Sequence, residues 1–323
     1  QGSAARNLDA LSELILERPD RCMLCTDDLH PDDLLVGHID QLVRESLARG
    51  CPWQDVLRAA CVNPVRHYGL PVGLLQVGDP ADFLVVSDLS DLRVRETWID
   101  GRCVARDGEC QWKAQPAGEL NRFDASPKSA TEFALSADSP RLRVIQAWDG
   151  QLITGCQEAD TEIEQGLAVA DPSRDLLKLA VVNRYANTRP AVAFIQGIGL
   201  RKGAIASSVA HDCHNIVAVG TNDGDLAAVV NQVISMRGGL AAACGSHVES
   251  LSLPVAGLMS TDPCEAVASA YSRLTAVTKD WGSPLRAPFM TISFMALLVI
   301  PRLKLSDRGL FDGERFEFVS SFV

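Results

Sequence analysis

The sequence predicts a protein of mixed class, α/β in its first part and α+β in its last. Three observations predict this: helix and strand signals alternate over residues 1–68, hairpin-type turn signals follow from residue 69, and strands mix with helices after residue 141. The 323 residues suit two or three domains, and a hydrophobic fraction of 47% is ample for their cores.

The first 68 residues are predicted to form one β/α unit. Its elements are a helix, a strand, a polar loop and two further helices, at 4–16, 22–26, 27–33, 34–47 and 53–61. We expect Gly50 to end the first of the two later helices and Asn63-Pro64 to stop the second. This order of elements is typical of a parallel sheet or a barrel.

A small β-domain is predicted next, because glycines and prolines divide the chain into short apolar pieces. The stretches 81–86 and 94–99 are predicted to be strands, and Asp100-Gly101 is a strong signal for a tight hairpin turn between strands. Residues 112–141, rich in Pro, Ser, Ala and Asp, are predicted to form a linker.

The rest of the chain is predicted to be α+β. Its strands are expected at 142–148, 151–156, 176–182, 191–196, 204–209, 215–220 and 240–244. Its helices are expected at 224–237, 262–276 and 288–298. Asn222 is placed to cap the first of these helices, and Asp262-Pro263 suits the start of the second. A dinucleotide-binding loop at Gly197 and Gly199 is disfavoured, because strand-like residues follow where a helix is needed.

Composition narrows the classes of partner. The 41 acidic and 30 basic side chains give a formal net charge of −11, which argues against nucleic acid or an anionic membrane surface as a partner. The longest apolar run, 287–301, is too short to span a bilayer, and acidic residues interrupt the first turns where a signal peptide is apolar. We therefore expect a soluble cytoplasmic protein, with its ten cysteines reduced.

Two adjacent carboxylates, Asp27 and Asp28, directly follow the predicted strand 22–26. If this unit belongs to a β/α barrel, Asp27 lies at the C-terminal mouth of a strand, where such enzymes build their sites. A carboxylate there can bind a metal ion and move a proton from water. The alternative is a helix cap or a solvated loop, and spacing alone leaves both interpretations open.

Several blocks of the sequence resemble the adenine deaminase family of the amidohydrolase superfamily. The stretch 21–34, with Gly37-His38-Ile39-Asp40, resembles the eighth barrel strand and the helix after it, and 63–86 resembles the β-sandwich segment of the superfamily. The blocks that resemble the family's own C-terminal domain are 208–216, 219–223, 253–260, 288–291 and 307–310.

The resemblance implies a chain of three parts. Residues 1–68 are then the end of a metal-dependent (β/α)8 barrel, 69–120 a β-sandwich segment followed by a linker, and 126–323 the C-terminal α+β domain. Barrels of this superfamily carry a His-x-His metal pair, which none of the six histidines forms here. Because a barrel needs about 250 residues, we expect this chain, which begins at Gln1, to be a C-terminal portion of a longer one.

The resemblance also implies the chemistry, which is hydrolytic deamination of adenine to hypoxanthine and ammonia in purine salvage. The cofactor is then a divalent metal, in a binuclear manganese or iron site. Asp27, the one candidate metal ligand, also takes the proton of the attacking water, and the catalytic role of Asp28 is to hold the loop or meet the substrate. We further expect a homo-oligomer.

The second candidate site is a loop that contains four predicted substrate-binding residues: His211, Asp212, His214 and Asn215. Its flanks have strand character, so we expect it to connect two strands and to approach Asp27 in the same or a neighbouring subunit. The alternative is a hydrogen-bonded structural turn. For the chain as a whole, two alternatives remain: a non-catalytic assembly module, and another amidohydrolase such as a hydantoinase or imidazolonepropionase relative, although those lack the long C-terminal domain.

Overall fold

The computed structural model describes residues 2–3, 6–112, 118 and 120–323. The chain divides into two compact units, the first built on Arg6–Pro116 and the second on Ala117–Val323. Parts of two predictions, residues 4 and 5 of the first helix and residues 113–117 and 119 of the linker, lie outside the described residues. Within the described ranges, no helix is long and apolar enough to cross a membrane.

The first unit is mainly helical up to residue 68. Its helices are α1 (Leu8–Glu17), α2 (Pro31–Val36), α3 (Ile39–Ala48), α4 (Trp53–Leu57) and α5 (Asn63–Tyr68). One π-helical turn, Arg58–Val62, joins α4 to α5. The helices share a small core, whose buried side chains are Ile15, Val43, Cys51, Val56 and Leu92.

Three predictions for this unit are wrong. Residues 22–26 form no strand, because no neighbouring strand pairs with them in the part of the chain that the structure describes, and Leu24 N donates to Ala59 O at 3.1 Å instead. The helix predicted over 34–47 is two helices, since the chain is not helical at Gly37 and His38. Asn63-Pro64 does not stop the last helix, because a proline in the first turn of a helix removes no helical hydrogen bond.

A four-stranded antiparallel sheet completes the first unit. Its strands, which pair in chain order, are β1 (Phe83–Val86), β2 (Val94–Ile99), β3 (Arg102–Arg106) and β4 (Glu109–Cys110). The predicted hairpin turn is confirmed: Asp100 and Gly101 connect β2 to β3 with φ of 48° and 71°. Two consecutive positive φ values are what the tightest hairpin turns require.

The second unit contains the remaining strands. They are β5 (Leu135–Ser136), β6 (Arg141–Gln146), β7 (Gly155–Asp160), β8 (Glu162–Glu164), β9 (Leu167–Val169), β10 (Leu177–Val182), β11 (Ala191–Gln196), β12 (Ala204–Ser207), β13 (Ile216–Gly220), β14 (Gly239–Cys244), β15 (His247–Ser252), β16 (Leu303–Ser306), β17 (Gly309–Asp312) and β18 (Glu317–Phe318). Eight of them form one sheet of order β15-β14-β12-β13-β10-β11-β6-β7. Its strands are antiparallel except that β6 and β11 run parallel.

Helices cover both faces of the eight-stranded sheet. Helix α6 (Asp223–Ser235) packs on one face, and α7 (Cys264–Asp280) and α8 (Pro288–Ser293) pack on the other. All six residues of β10 are therefore buried. A strand that is covered on both faces is a nearly continuous apolar run in the sequence, so its position is readily predicted.

Most predictions for the second unit are confirmed, with shifted ends. The strand predicted at 151–156 is misplaced, because β7 begins only at Gly155. Asn222 caps α6 as predicted, since its Oδ1 accepts a hydrogen bond from Asp225 N at 2.8 Å. Asp262 does not cap α7, which begins at Cys264 directly after Pro263. The sequence does not predict strands β5, β8, β9 and β15 to β18, because they are short or carry charged residues, and β5 lies within the predicted linker 112–141.

Candidate functional site

Asp27 follows the segment 22–26 of the first unit and lies outside any helix. Its side chain is exposed, and its φ of 52° is a left-handed conformation that Asp adopts more readily than most residues do. The preceding residue, Thr26, is buried, and its Oγ1 lies 3.0 Å from His38 Nε2. This hydrogen bond ties the residue before Asp27 to the start of α3, so it limits where the carboxylate can lie.

A metal ion needs more ligands than this position supplies. Among the described residues, no group of three or more His, Cys, Asp or Glu side chains could hold a metal ion. Catalytic metal sites generally use about three protein ligands, and an exposed carboxylate suits one of those positions. Asp27 therefore fits as a single ligand of a divalent metal. Asp28 beside it is half-buried and makes interactions of its own.

The loop with the four predicted substrate-binding residues joins β12 to β13, as the sequence predicts. His211 N donates to Ser293 O at 3.1 Å, and His211 Nδ1 lies 3.1 Å from Ser293 Oγ. The imidazole ring stacks on Phe294, with 4.5 Å between the ring centroids. His211 is thus fixed on the C-terminal end of α8, while Asp212 beside it is exposed.

His214 lies in a different environment from His211. Its backbone is left-handed, with φ of 50°, and its Nδ1 is buried without a hydrogen-bond partner in the described part of the chain. Burial lowers the pKa of its imidazole, the positive charges of Arg184 and His211 lower it further, and Asp212 acts in the opposite direction. Because these effects favour the uncharged form of the imidazole, His214 is suited to act as a neutral hydrogen-bonding group.

Asn215 ends the loop and is only 4% exposed. Its Oδ1 accepts a hydrogen bond from Arg184 N at 3.3 Å. The oxygen of this side chain is therefore used inside the second unit, and the predicted substrate role of Asn215 stays a prediction.

Three functional candidates that the sequence analysis missed, Asn183, Arg184 and Tyr185, directly follow β10. Asn183 Nδ2 donates to Asp307 Oδ2 at 2.8 Å, in the turn between β16 and β17. Arg184 Nη1 donates to Ala256 O at 2.7 Å. These residues bring together three of the sequence blocks, those around His211, Ala256 and Asp307. A polar run after a wholly apolar strand is the signal that could have identified them.

Gly257 makes room for the guanidinium of Arg184. Its φ is 69°, and a Cβ atom at this position would lie 2.0 Å from Arg184 Nη1. Ser208 Oγ donates to Gly257 O at 2.5 Å and so holds the same segment from its other side. The turn at 255–259 is therefore shaped around a buried arginine.

The loop with Gly197 and Gly199 binds a side chain of the protein itself. The backbone N of each glycine donates to the carboxylate of Asp175, and both distances are 2.7 Å. Strand β12 follows this loop, whereas a dinucleotide-binding loop leads into a helix. The donors that would bind a phosphate are thus already paired.

Comparison with known proteins places both units in families. Residues 151–317 match the model of the adenine deaminase C-terminal domain, and residues 2–104 match that of the amidohydrolase family. The chain is 57% identical over 326 aligned residues to the adenine deaminase of Salinibacter ruber, an alignment that covers all of this chain and 59% of that protein. It is 46% identical to that of Methanosarcina barkeri, in an alignment that covers all of this chain and 60% of that protein. It is 41% identical to that of Borreliella burgdorferi, in an alignment that covers 99% of this chain and 59% of that protein.

The chain thus spans about three fifths of the length of the curated relatives that it matches. The family model covers more than half of the chain and includes the His211 loop, Arg184 and Asp307. The family indicated by the separate sequence blocks is confirmed: the chain belongs to the adenine deaminase family and contains its C-terminal domain preceded by a segment of the amidohydrolase family.

Proposed function

We propose that the protein to which this chain belongs hydrolyses adenine to hypoxanthine and ammonia, as a step of purine salvage. The observation that carries the proposal is the similarity to adenine deaminases over both units, at 41 to 57% identity in the relatives named above. The match to the C-terminal domain argues against another amidohydrolase, because the matching family is described as the adenine deaminase C-terminal domain. We propose a binuclear site of manganese or iron as the cofactor.

Asp27 is proposed to hold one of the metal ions through its exposed carboxylate. A divalent metal bound there supplies the acidity that turns water into a nucleophile at neutral pH. The Asp27 carboxylate is proposed to accept the proton of that water and to deliver it to the amino nitrogen of adenine, which leaves as ammonia. The hydrogen bond between Thr26 and His38 supports this role, because a proton carrier must be held in place to act repeatedly. Asp28 is proposed to hold the loop or to contact the substrate.

The loop from β12 to β13 is proposed to bind the purine. Adenine is uncharged and flat, and it offers hydrogen-bond donors and acceptors around its ring edge. A neutral His214 can meet either kind of group, since an imidazole has one donor nitrogen and one acceptor nitrogen. His211 and Asp212 are proposed to act beside it. We further propose that the complete protein is a homo-oligomer.

An assay of adenine deamination by the full-length protein tests this proposal. Purified protein would be stripped of metal by a chelator, supplied with Mn²⁺ or Fe²⁺, and assayed for ammonia release from adenine, adenosine, guanine and cytosine. We expect turnover of adenine, its loss on chelation and its return with metal. Metal-loaded, folded protein that releases no ammonia from adenine would overturn the proposal.

A non-catalytic assembly module is the second candidate. It draws on one observation, that the described residues bring together no set of metal ligands. This candidate expects the full-length protein to lack adenine turnover in the same assay, so one experiment decides between the two.

A further inference from the structure

Arg184 is a buried cation whose charge has no carboxylate partner among the described residues. The residue is 4% exposed. Its Nη1 donates to Ala256 O at 2.7 Å and its Nη2 to Tyr185 Oη at 2.9 Å, and both of these acceptors are neutral. Its Nε is buried without a hydrogen-bond partner in the same described set. A charge in such a place is costly unless it is paired, so local stability alone does not explain it.

The surroundings of Arg184 hold the guanidinium firmly. The side chain lies against the rings of Tyr185 and Phe123, with 4.8 and 5.8 Å from Cζ to the ring centroids. Its backbone O accepts hydrogen bonds from Asp124 N at 2.7 Å and from Ala125 N at 3.1 Å. Two aromatic faces and several hydrogen bonds therefore hold the guanidinium in one position, whereas an exposed arginine side chain moves freely.

Arg184 is also bonded to the end of the loop from β12 to β13. Arg184 N donates to Asn215 Oδ1, and Asn215 is the neighbour of His214 in the chain. His214 Nδ1 is a second buried nitrogen without a partner among the described residues. A fixed cation and an unpartnered imidazole nitrogen thus belong to two loops that are joined by one hydrogen bond.

We infer that Arg184 is a positioning residue for His214. Its backbone N–H holds the loop through Asn215, and the charge of its guanidinium disfavours a charge on the imidazole, so that a nitrogen of His214 can accept a hydrogen bond from an N–H group of the purine. The part of this inference that concerns the purine rests on the proposed function. The part that concerns the two side chains does not.

The charged groups around His214 agree with this inference. Burial lowers the pKa of His214, Arg184 and His211 lower it further, and Asp212 raises it. On the adjacent turn, Asp307 affects Cys213: burial raises the pKa of that thiol, and the charge of Asp307 adds to the effect. Asp212 favours an imidazolium at His214, and Arg184 is the larger of the two charges that oppose it, the other being His211.

The first experiment measures the imidazole itself and needs no activity. The 323-residue chain with 13C-labelled histidine is titrated by NMR, and His214→Gln identifies the His214 signal. We expect the His214 midpoint to lie below that of an ordinary histidine and to move up in both Arg184→Met and Arg184→Gln. Arg184→Lys, which keeps the charge, should restore most of the downward shift. A midpoint that stays unchanged in a folded Arg184→Gln variant overturns the inference.

The second experiment measures adenine turnover by the full-length protein. Arg184→Gln should lower kcat/KM about tenfold, as expected for one weakened hydrogen bond, and should move the acidic limb of the pH profile of kcat/KM upward. The control is Lys178→Met combined with Asp223→Leu, which removes a buried cation and its partner at the other end of β10. The control should leave the pH profile in place.

The two experiments separate the possible failures. Wild-type protein without adenine turnover rejects the proposed function, while the NMR titration still decides whether Arg184 controls His214. Arg184→Gln that loses thermal stability but keeps both the His214 midpoint and the pH profile shows a merely structural arginine, and it overturns the inference.

Discussion

The two units of the chain differ in how much apolar surface they bury. In the second unit, β10 lies between two layers and every one of its residues is buried. In the first unit, large apolar side chains on α2 and after α5 are exposed: Val36 is 72% exposed and Leu75 is 75% exposed. Among the described residues, the core of the first unit contains five buried side chains, whereas the main core of the second unit contains more than thirty. The unit with the candidate catalytic carboxylate is therefore the one that is less able to stabilise itself.

The largest expected consequence is a difference in local stability between the two units. Backbone amides in β10 and β13 should exchange with solvent at least roughly a thousandfold more slowly than those in α1 to α4, because few buried contacts oppose local opening in the first unit. Hydrogen exchange measured by mass spectrometry on the 323-residue chain checks this. Equal protection of backbone amides from exchange in both units would contradict the predicted difference in local stability.

The next effect concerns an ion pair inside the second unit. Lys178 Nζ lies 2.7 and 2.9 Å from the two carboxylate oxygens of Asp223, and Lys178 is 2% exposed. Lys178→Met leaves the partly exposed carboxylate of Asp223 without its partner and should lower the free energy of unfolding by about 1 to 3 kcal/mol.

Urea denaturation of that variant measures the loss, with the exposed Lys202→Met as the control. Replacing Asp223 by Leu in addition should recover part of the stability, because no unpaired carboxylate then remains. If the double variant is as unstable as Lys178→Met, the unpaired charge of Asp223 is not the cause of the stability loss, and the account of this ion pair is wrong.

A third effect depends on pH. Lys304 on β16 is fully buried, its Nζ donates to Leu152 O at 2.7 Å, and burial lowers its pKa to about 7 from the ordinary 10.5. Between these two values the unfolded chain binds more protons than the folded one. The free energy of unfolding should therefore rise with pH from about 7 to about 10, with a slope that approaches ~1.4 kcal/mol per pH unit.

Urea titrations of wild type and Lys304→Met at several pH values measure this contribution. The difference between the two proteins isolates Lys304 from the other groups that titrate at high pH. We expect the variant to lack this part of the slope. Identical slopes in both proteins would mean that Lys304 remains charged when folded.

The smallest effect concerns the cap of α6. Asn222→Ala removes the hydrogen bond from Asp225 N and should cost about 1 kcal/mol of stability in the second unit. Asn222→Asp keeps an acceptor in the same place and should cost much less. Thermal unfolding monitored by circular dichroism compares the two variants, and equal losses would exclude the capping role.

The sequence predicts some parts of the molecule well for identifiable physical reasons. Buried strands such as β10 are continuous apolar runs, and the Asp100-Gly101 turn needs residues that tolerate a positive φ. The segment 22–26 is predicted less well, because an extended apolar stretch becomes a strand only where a neighbour pairs with it. The break between α2 and α3 depends on local geometry at Gly37 and His38, which apolar spacing does not report.

The candidate site is predicted only in part. The sequence identifies Asp27 and the His211 loop because their residue types are reactive and their blocks are distinctive. It does not identify Arg184 or Lys304, because charged residues are generally exposed and nothing local marks them as buried. Only the packing of several distant segments around each side chain makes them unusual.

The most direct test of the proposed chemistry is the adenine turnover of Asp27→Asn in the full-length, metal-loaded protein. The amide is nearly the same shape as the carboxylate but cannot carry a proton or bind metal as an anion. With Asp20→Asn as a matched control on an exposed carboxylate of the same unit, we expect kcat to fall by roughly 100- to 10,000-fold in Asp27→Asn and to stay unchanged in the control. Undiminished turnover by Asp27→Asn, with its metal content equal to that of wild type, would contradict the role of Asp27.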